Sequence, residues 1–383
     1  MKTYHLILIV IFSFCCNGCR QQKTNQEELI HIDFKSITKR NIILEHVDQC
    51  KFVKLETTDD CLIREIVKID FDDDKIFIKD KNKKVFVFNE AGTFLNQIGH
   101  IGSGPNEQLG IHDFFLDKSN RRIELFDMLQ STIFSYTYSG DLIESKKVKR
   151  DVFEDFAKMT LTSDNQLILS MDNSKETPFN YRLVDQIKYV QYSDYVPYLL
   201  LGETPLSFSG TSKMTQSKNT LYLSAFLSDT IYKYDDVEKK ILPVYVFKGK
   251  HKPLVPADFT NRNFEVALDA LTVAKAKKRS TGIKQLYATD YYMHFLFDMD
   301  RVVYRLFWDI EKHTGSYYPL VGASTLTNFF TYVIGSTDKA FVCAIPAEEA
   351  IRHYWEESEM AQIVVKDTYE DDNPILIYYY FNF

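Results

Sequence analysis

Cysteine is scarce beyond the N-terminus: after the first twenty residues only Cys50, Cys61 and Cys343 remain. Three thiols cannot form a complete disulfide framework. Cys50 and Cys61 could pair in an oxidising compartment, but the simpler expectation is three small, buried apolar side chains. Positive charge is not in excess either. With 46 Lys and Arg against 53 Asp and Glu the net charge is −7, which excludes the basic field that non-specific nucleic-acid binding requires. The two basic runs, 146–150 and 275–279, read as solvated faces. The apolar run from Leu6 to Phe14 is too short to cross a bilayer. Common catalytic signatures are missing as well. There is no His-Glu-x-x-His helix, no Gly-x-Ser-x-Gly elbow, no pair of Cys-x-x-Cys motifs and no EF-hand loop.

What the chain does have is a repeated pattern of short strands, clearest from Lys75 to Glu107. Ile76, Phe77 and Ile78 form one apolar run, Val85 to Phe88 a second, and Phe94, Leu95 and Ile98 a third. Lys79-Asp80-Lys81-Asn82 and Asn89-Glu90-Ala91-Gly92 separate them as turns. Apolar runs this short, bounded by turn residues, predict strands covered on both faces, and a meander of them is one propeller blade. Phe and Tyr number 29 and 24, as suits sheets stacked face to face. The glycines of Gly99-His100-Ile101-Gly102-Ser103-Gly104-Pro105 lack the Lys-Ser/Thr ending of a phosphate loop. The segment is expected to connect two blades, with His100, Ser103, Asn106 and His112 as candidates for a channel mouth.

Copies of the pattern recur with anchors near residues 76, 123, 167, 221, 292 and 341, an interval in the propeller range. Six blades follow, in an all-β six-bladed β-propeller spanning 30–383. The third copy is expected to place a strand from Ile187 to Tyr192. An edge strand and a turn are expected between Ile30 and Val47, and a strand near Phe52 is expected to complete one blade with a strand near Ile377, because an open edge would leave backbone groups unpaired. Helical spacing from Phe259 to Lys278 marks a helical insertion at about 257–280, as a blade-edge cover or as a cap on a ligand cleft. A second, acidic helix is expected from Ala347 to Met360.

The N-terminus is an export signal in form: Lys2, the Leu6–Phe14 core, then Cys15-Cys16-Asn17-Gly18-Cys19. The cysteine run resembles a bacterial lipobox. Cys19, preceded by the small Gly18, is the lipid-anchor candidate. Residues 1–18 are then a lipoprotein signal peptide and 19–29 a flexible tether. Arg20, rather than an aspartate, follows the cysteine, and by resemblance this implies the outer membrane.

Cys50-Lys51-Phe52-Val53-Lys54-Leu55-Glu56-Thr57-Thr58, the unit Val85 to Gly92, Gly102-Ser103-Gly104-Pro105-Asn106-Glu107 and Asn373-Pro374-Ile375-Leu376 together resemble the six-bladed β-propeller lipoproteins of gut Bacteroidetes, relatives of NHL-repeat propellers. Gly-Pro-Asn-Glu departs by one residue from the commoner Gly-Pro-Gly-Glu. The resemblance implies the fold and brings no catalytic motif. Two functions stay open. One is a non-enzymatic binding or scaffold protein of the cell envelope, presenting loops to a glycan, a peptide or a partner envelope protein. The other is a calcium-dependent hydrolase or lyase with its site on the propeller axis. Asp72-Asp73-Asp74 and Asp371-Asp372 are the acidic runs to consider for calcium, and each reads first as a solvated turn.

Overall fold

The computed structural model describes residues 29–42, 50–171, 177–185, 189–198, 214–218, 220–225, 227–259, 267–300, 302–320, 333–353 and 365–381. Their strands form six sheets, antiparallel apart from two short strands added in parallel at outer edges, arranged as the blades of a propeller. Blade I comprises Ile66–Asp72, Lys75–Asp80, Val85–Asn89 and Phe94–Ile98. Blade II comprises Ile111–Asp117, Arg122–Asp127, Thr132–Thr137 and Leu142–Lys147. Blade III comprises Phe156–Leu161, Gln166–Met171, Phe179–Asp185 and Tyr192–Pro197. Blade IV holds Met214–Ser217, Thr220–Ser224, Thr230–Asp235 and Lys240–Lys248. Blade V holds Lys284–Ala288, Tyr292–Met299, Val302–Asp309 and Thr314–Pro319. Blade VI joins Val333–Ser336, Ala340–Ile345 and Ile375–Tyr380 to Cys50–Lys54.

The continuous apolar runs have a direct physical cause. Along blade I, Ile76, Ile78, Phe86 and Phe88 pack against blade VI, while Phe77, Val85 and Val87 pack against blade II. A strand buried on both faces cannot alternate apolar with polar residues. Apolar clusters fill the spaces between neighbouring blades in this way around the ring. Aromatic rings mesh there: Phe126 stacks on Phe153 with centroids 5.0 Å apart, and Phe247 meets Phe297 at 4.7 Å. Burying one such ring contributes about 3 kcal/mol.

The ring closes as the sequence predicts, with Ile377 paired to Phe52 in antiparallel register. Asn373 locks the closure from a fully buried position. Its Nδ2 donates to Glu56 O and Cys61 O, each at 2.7 Å, its Oδ1 accepts from Ile63 N at 2.7 Å, and its backbone N–H donates to Thr57 Oγ1 at 2.8 Å. Beside it, Lys54 pairs with Asp372 at 2.7 Å. Gly92, at φ +90, comes so close to this strand that a Cβ would sit 2.1 Å from Lys54 O, so the turn that ends in it needs glycine.

Several details differ from the sequence expectation. The third copy's last strand is Tyr192–Pro197, and residues 189–191, expected in it, are not in a strand. Residues 187 and 188 of the expected strand lie outside the described residues. The N-terminal segment supplies two strands, not one, and neither belongs to a seventh unit. Ile30–Asp33 adds in parallel to the outer edge of blade IV, and Thr38–Lys39 adds in parallel to the outer edge of blade V. The inserted helix runs from Ala267 to Lys277, and the second helix from Ala347 to His353. The remaining expected helical positions, 260–266 and 354–360, lie outside the described residues, as do the signal peptide, Cys19 and nearly all of the tether. Cys50, Cys61 and Cys343 are all buried and outside any disulfide, so Cys50 and Cys61 do not pair. Burial pushes the Cys61 thiol up to about 12.

Candidate axial binding site

The innermost strand of each blade leads outward through a short turn to the second strand. These turns gather at one end of the ring, and the blade-to-blade loops gather at the other. A cavity of about 690 Å³ lies on the axis, lined by residues from all six innermost strands and opening at the end that bears the turns.

The wall formed by blades I to III is charged. In each of these blades a β-bulge early in the innermost strand shifts the register just before one residue: Lys68, Asp113 and Lys158 respectively. A bulge re-aims the side chain that follows it. Lys68 Nζ donates to Asp113 Oδ2 at 3.0 Å, to Met159 O at 2.9 Å and to Phe114 O, and it sits 4.9 Å from the centroid of the Phe114 ring. Asp113 Oδ2 also accepts from Met159 N at 2.7 Å. One lysine of blade I therefore ties the innermost strands of blades I, II and III together. Lys79, the cross-strand neighbour of Lys68, is buried too. Burial pulls its ammonium below the ordinary lysine value, with Asp113 opposing that shift and Lys68 adding to it.

The wall formed by blades IV to VI is mainly hydroxyl, amide and apolar, with Lys218 and Asp338 at its rim. Thr215 Oγ1 lies 3.4 Å from Ser336 Oγ and accepts from Ala288 N at 3.0 Å, which stitches three innermost strands across the axis. Gly335 leaves no side chain here; a Cβ would meet Ile69 Cγ2 at 2.7 Å.

At the rim the carboxylates of blades I and II have protein partners. Tyr138 Oη donates to Asp72 at 2.6 Å, Arg121 binds Asp73, Lys75 binds Asp74 at 2.6 Å, and Asp117 receives the Asn120 side chain at 2.8 Å. The Asp72-Asp73-Asp74 run is thus three turn carboxylates with three separate partners. Among the described residues no three His, Cys, Asp or Glu side chains come together as a metal-binding set.

None of the residues expected from sequence at a channel mouth lines this cavity. His100, Ser103 and Asn106 are exposed on the blade I–II loop at the opposite end of the ring, and none of them lines the cavity. That loop is organised internally. Glu107 accepts from Gly104 N at 2.6 Å, and buried Gln108 accepts from His100 N at 2.9 Å while its Nε2 reaches Asn106 O and Tyr136 Oη. The Gly104 amide, which a bound anion would need, is turned toward the loop's own Glu107. His112 opens the innermost strand of blade II, half-buried, with Nε2 2.9 Å from Phe156 O. The structure brings the first three of these residues into one loop and leaves His112 apart. The described part of the inserted helix also contributes nothing to the cavity wall.

The innermost strands escape the sequence reading, although a signal for them exists. Lys68 and Asp113 are 45 positions apart, and Asp113 and Lys158 are separated by the same interval. Charged residues at blade spacing, each two positions into a short strand, mark an axis-facing set.

The model of a family described as Domain of unknown function (DUF4934) matches residues 29–380. A Bacteroides fragilis protein of known structure, named for its inferred export from the cell, is similar in fold. It has a TM-score of 0.69 and 18% identity, over 91% of this chain and 98% of that one. A member of the DUF4221 family from Bacteroides vulgatus is similar at a TM-score of 0.53 and 10% identity, over 86% of this chain and 96% of that one. No curated protein matches the sequence.

Proposed function

The chain belongs to the DUF4934 family, and we propose that this Bacteroidetes six-bladed propeller is an exported binding module, tethered to the outer membrane through Cys19, which takes a small polar ligand in its axial cavity. The observation that carries the reading is the cavity itself. At about 690 Å³ it falls within the range of small-molecule sites, and its wall offers charged and hydroxyl groups rather than a plain apolar surface. A glycan fragment or a short peptide suits such a lining. The loops at the opposite end, with His100, Ser103 and Asn106, remain open to a partner envelope protein.

Two measurements test this. Thermal unfolding in the presence of mono- and disaccharides and of di- and tripeptides is expected to show a rise in Tm for at least one of them, since a ligand that binds only the folded state stabilises it. Gln216→Trp, an exposed substitution on the cavity wall, is expected to abolish that rise while leaving the Tm of the free protein unchanged. A rise that persists in the variant would place the ligand outside the axis. For the anchor, Cys19→Ala is expected to move the protein from the detergent phase to the aqueous phase on Triton X-114 partition, because stable anchoring depends on acyl chains. Retention in the detergent phase would show that something other than Cys19 holds it.

A further inference from the structure

We infer that the axial cavity takes an uncharged saccharide, with the ring of Tyr291 as a platform at its mouth; the inference rests on the axial-binding reading above. Charge on the lining is balanced, with four lysines and five aspartates. The two signs interleave. Asp117 and Lys118 are neighbours on the blade II turn, Lys118 lies 3.9 Å from Asp70 of blade I, and Asp73 binds Arg121. An ion of either sign placed here meets a like charge about as near as an opposite one. A hydroxyl group does not have that difficulty, because it donates to a carboxylate and accepts from an ammonium. Between the charges the wall adds hydroxyls from Thr160, Ser163 and Ser336 and amides from Asn165 and Gln216. A polyhydroxylated ligand without charge suits all of these groups at once.

The mouth adds an aromatic surface. Tyr291 stands at the first turn of blade V and is 51% exposed. Its position is held by backbone bonds, since its carbonyl accepts from Ile310 N at 2.9 Å. Toward blade IV, the Lys218 ammonium lies 5.6 Å from the ring centroid, and Lys218 N donates to Asp290 Oδ1 at 2.7 Å. Toward blade VI, Asp290 N donates to Asp338 O at 2.7 Å. These bonds tie the turns of blades IV, V and VI into one belt, with a cation and a carboxylate flanking the ring. A pyranose resting its C–H face on Tyr291 removes apolar area from water on both partners, and its hydroxyls then come within reach of Lys218 and Asp338. The cavity leaves room for a second sugar ring beyond the platform. A fatty acid has no hydroxyls to offer this wall, and a short peptide brings two charged ends.

The test is isothermal titration of the intact mature domain with four probes: cellobiose, maltotriose, digalacturonic acid and trialanine. At least one of the two neutral sugars is expected to bind. Its affinity is expected to change less than twofold as NaCl is raised from low to physiological concentration, because screening acts on charge. Digalacturonic acid and trialanine are each expected to bind at least tenfold more weakly. Tyr291→Ala, at an exposed turn position, is expected to lose at least tenfold in affinity for the neutral sugar with an unchanged Tm, and Tyr291→Phe is expected to stay within twofold of the parent protein. Equal binding of digalacturonic acid overturns the uncharged assignment, and unchanged binding by Tyr291→Ala overturns the platform. Binding of trialanine alone overturns the saccharide class and leaves the axial reading standing. Binding of none of the four also overturns the saccharide class. The axial reading fails separately, if a neutral sugar binds Gln216→Trp as well as it binds the parent protein.

Discussion

Asn373→Leu is expected to destabilise the propeller by on the order of 4 kcal/mol, read as a lower urea midpoint with an unchanged slope. The side chain is fully buried and satisfies Glu56 O, Cys61 O and Ile63 N at once. Leucine fills similar volume and satisfies none of them, so two carbonyls and an amide stay buried without partners. Asn373→Asp is a sharper probe. Its carboxylate can still accept from Ile63 N, but it cannot donate and would face two carbonyl oxygens. It should therefore lie at least as low as the leucine variant. Thr57→Val removes the acceptor of Asn373 N and the hydroxyl's hydrogen bond to Asp372 and should cost about 1–2 kcal/mol. A loss below about 1 kcal/mol for Asn373→Leu would mean that the clasp is incidental to ring closure.

Asp113→Ala is the second large effect. It strips the counter-charge from Lys68, whose side chain is only 15% exposed, and leaves buried Lys79 beside it with no carboxylate between them. An uncompensated buried charge costs about 3–5 kcal/mol. The double variant Lys68→Met/Asp113→Leu removes the charge along with its partner and should recover most of that loss. Equilibrium unfolding of the two single variants and the double gives the coupling between the positions. Strictly additive losses would contradict the picture of a shared axial network.

Most of the ring is legible in the sequence, for a specific reason. The second and third strands of each blade are buried on both faces, so Ile76 to Ile78, Val85 to Phe88 and Ala340 to Ile345 announce themselves as unbroken apolar runs. Closure is legible too, because Phe52 and Ile377 lie in strands without local partners towards the two ends of the chain. The innermost strands are not. They mix Lys68, Asp70, Lys158 and Thr215 with apolar residues, and the register shifts in blades I to III leave an alternation such as Lys68 to Asp72 too brief to stand out. The cavity shares that fate, since each blade contributes only a few lining residues and contact across the axis leaves no trace in local spacing. The glycine-rich loop draws attention to His100 and Asn106 because glycines and a histidine resemble a site locally. In the fold those glycines make room for Glu107, whose carboxylate lies within 2.1 Å of where a Cβ on Gly102 would be. An edge strand between Ile30 and Val47 is legible, but its division into Ile30–Asp33 and Thr38–Lys39, paired in parallel with two different blades, is hidden, since each piece is too short to show a pattern of its own.

Because one blade is assembled from both ends of the polypeptide, with Asn373 reaching across 317 positions to Glu56, five sheets can be synthesised and threaded through a membrane before the sixth can exist. Bringing such distant segments together carries an entropic cost on the order of 5 kcal/mol, which no local hairpin has to meet. Until the last few residues arrive, Cys50–Lys54 has no neighbour on which to align. A chain cut short before Ile375 is thus an open arc with two raw flanks, a form that quality-control proteases can tell from the finished ring.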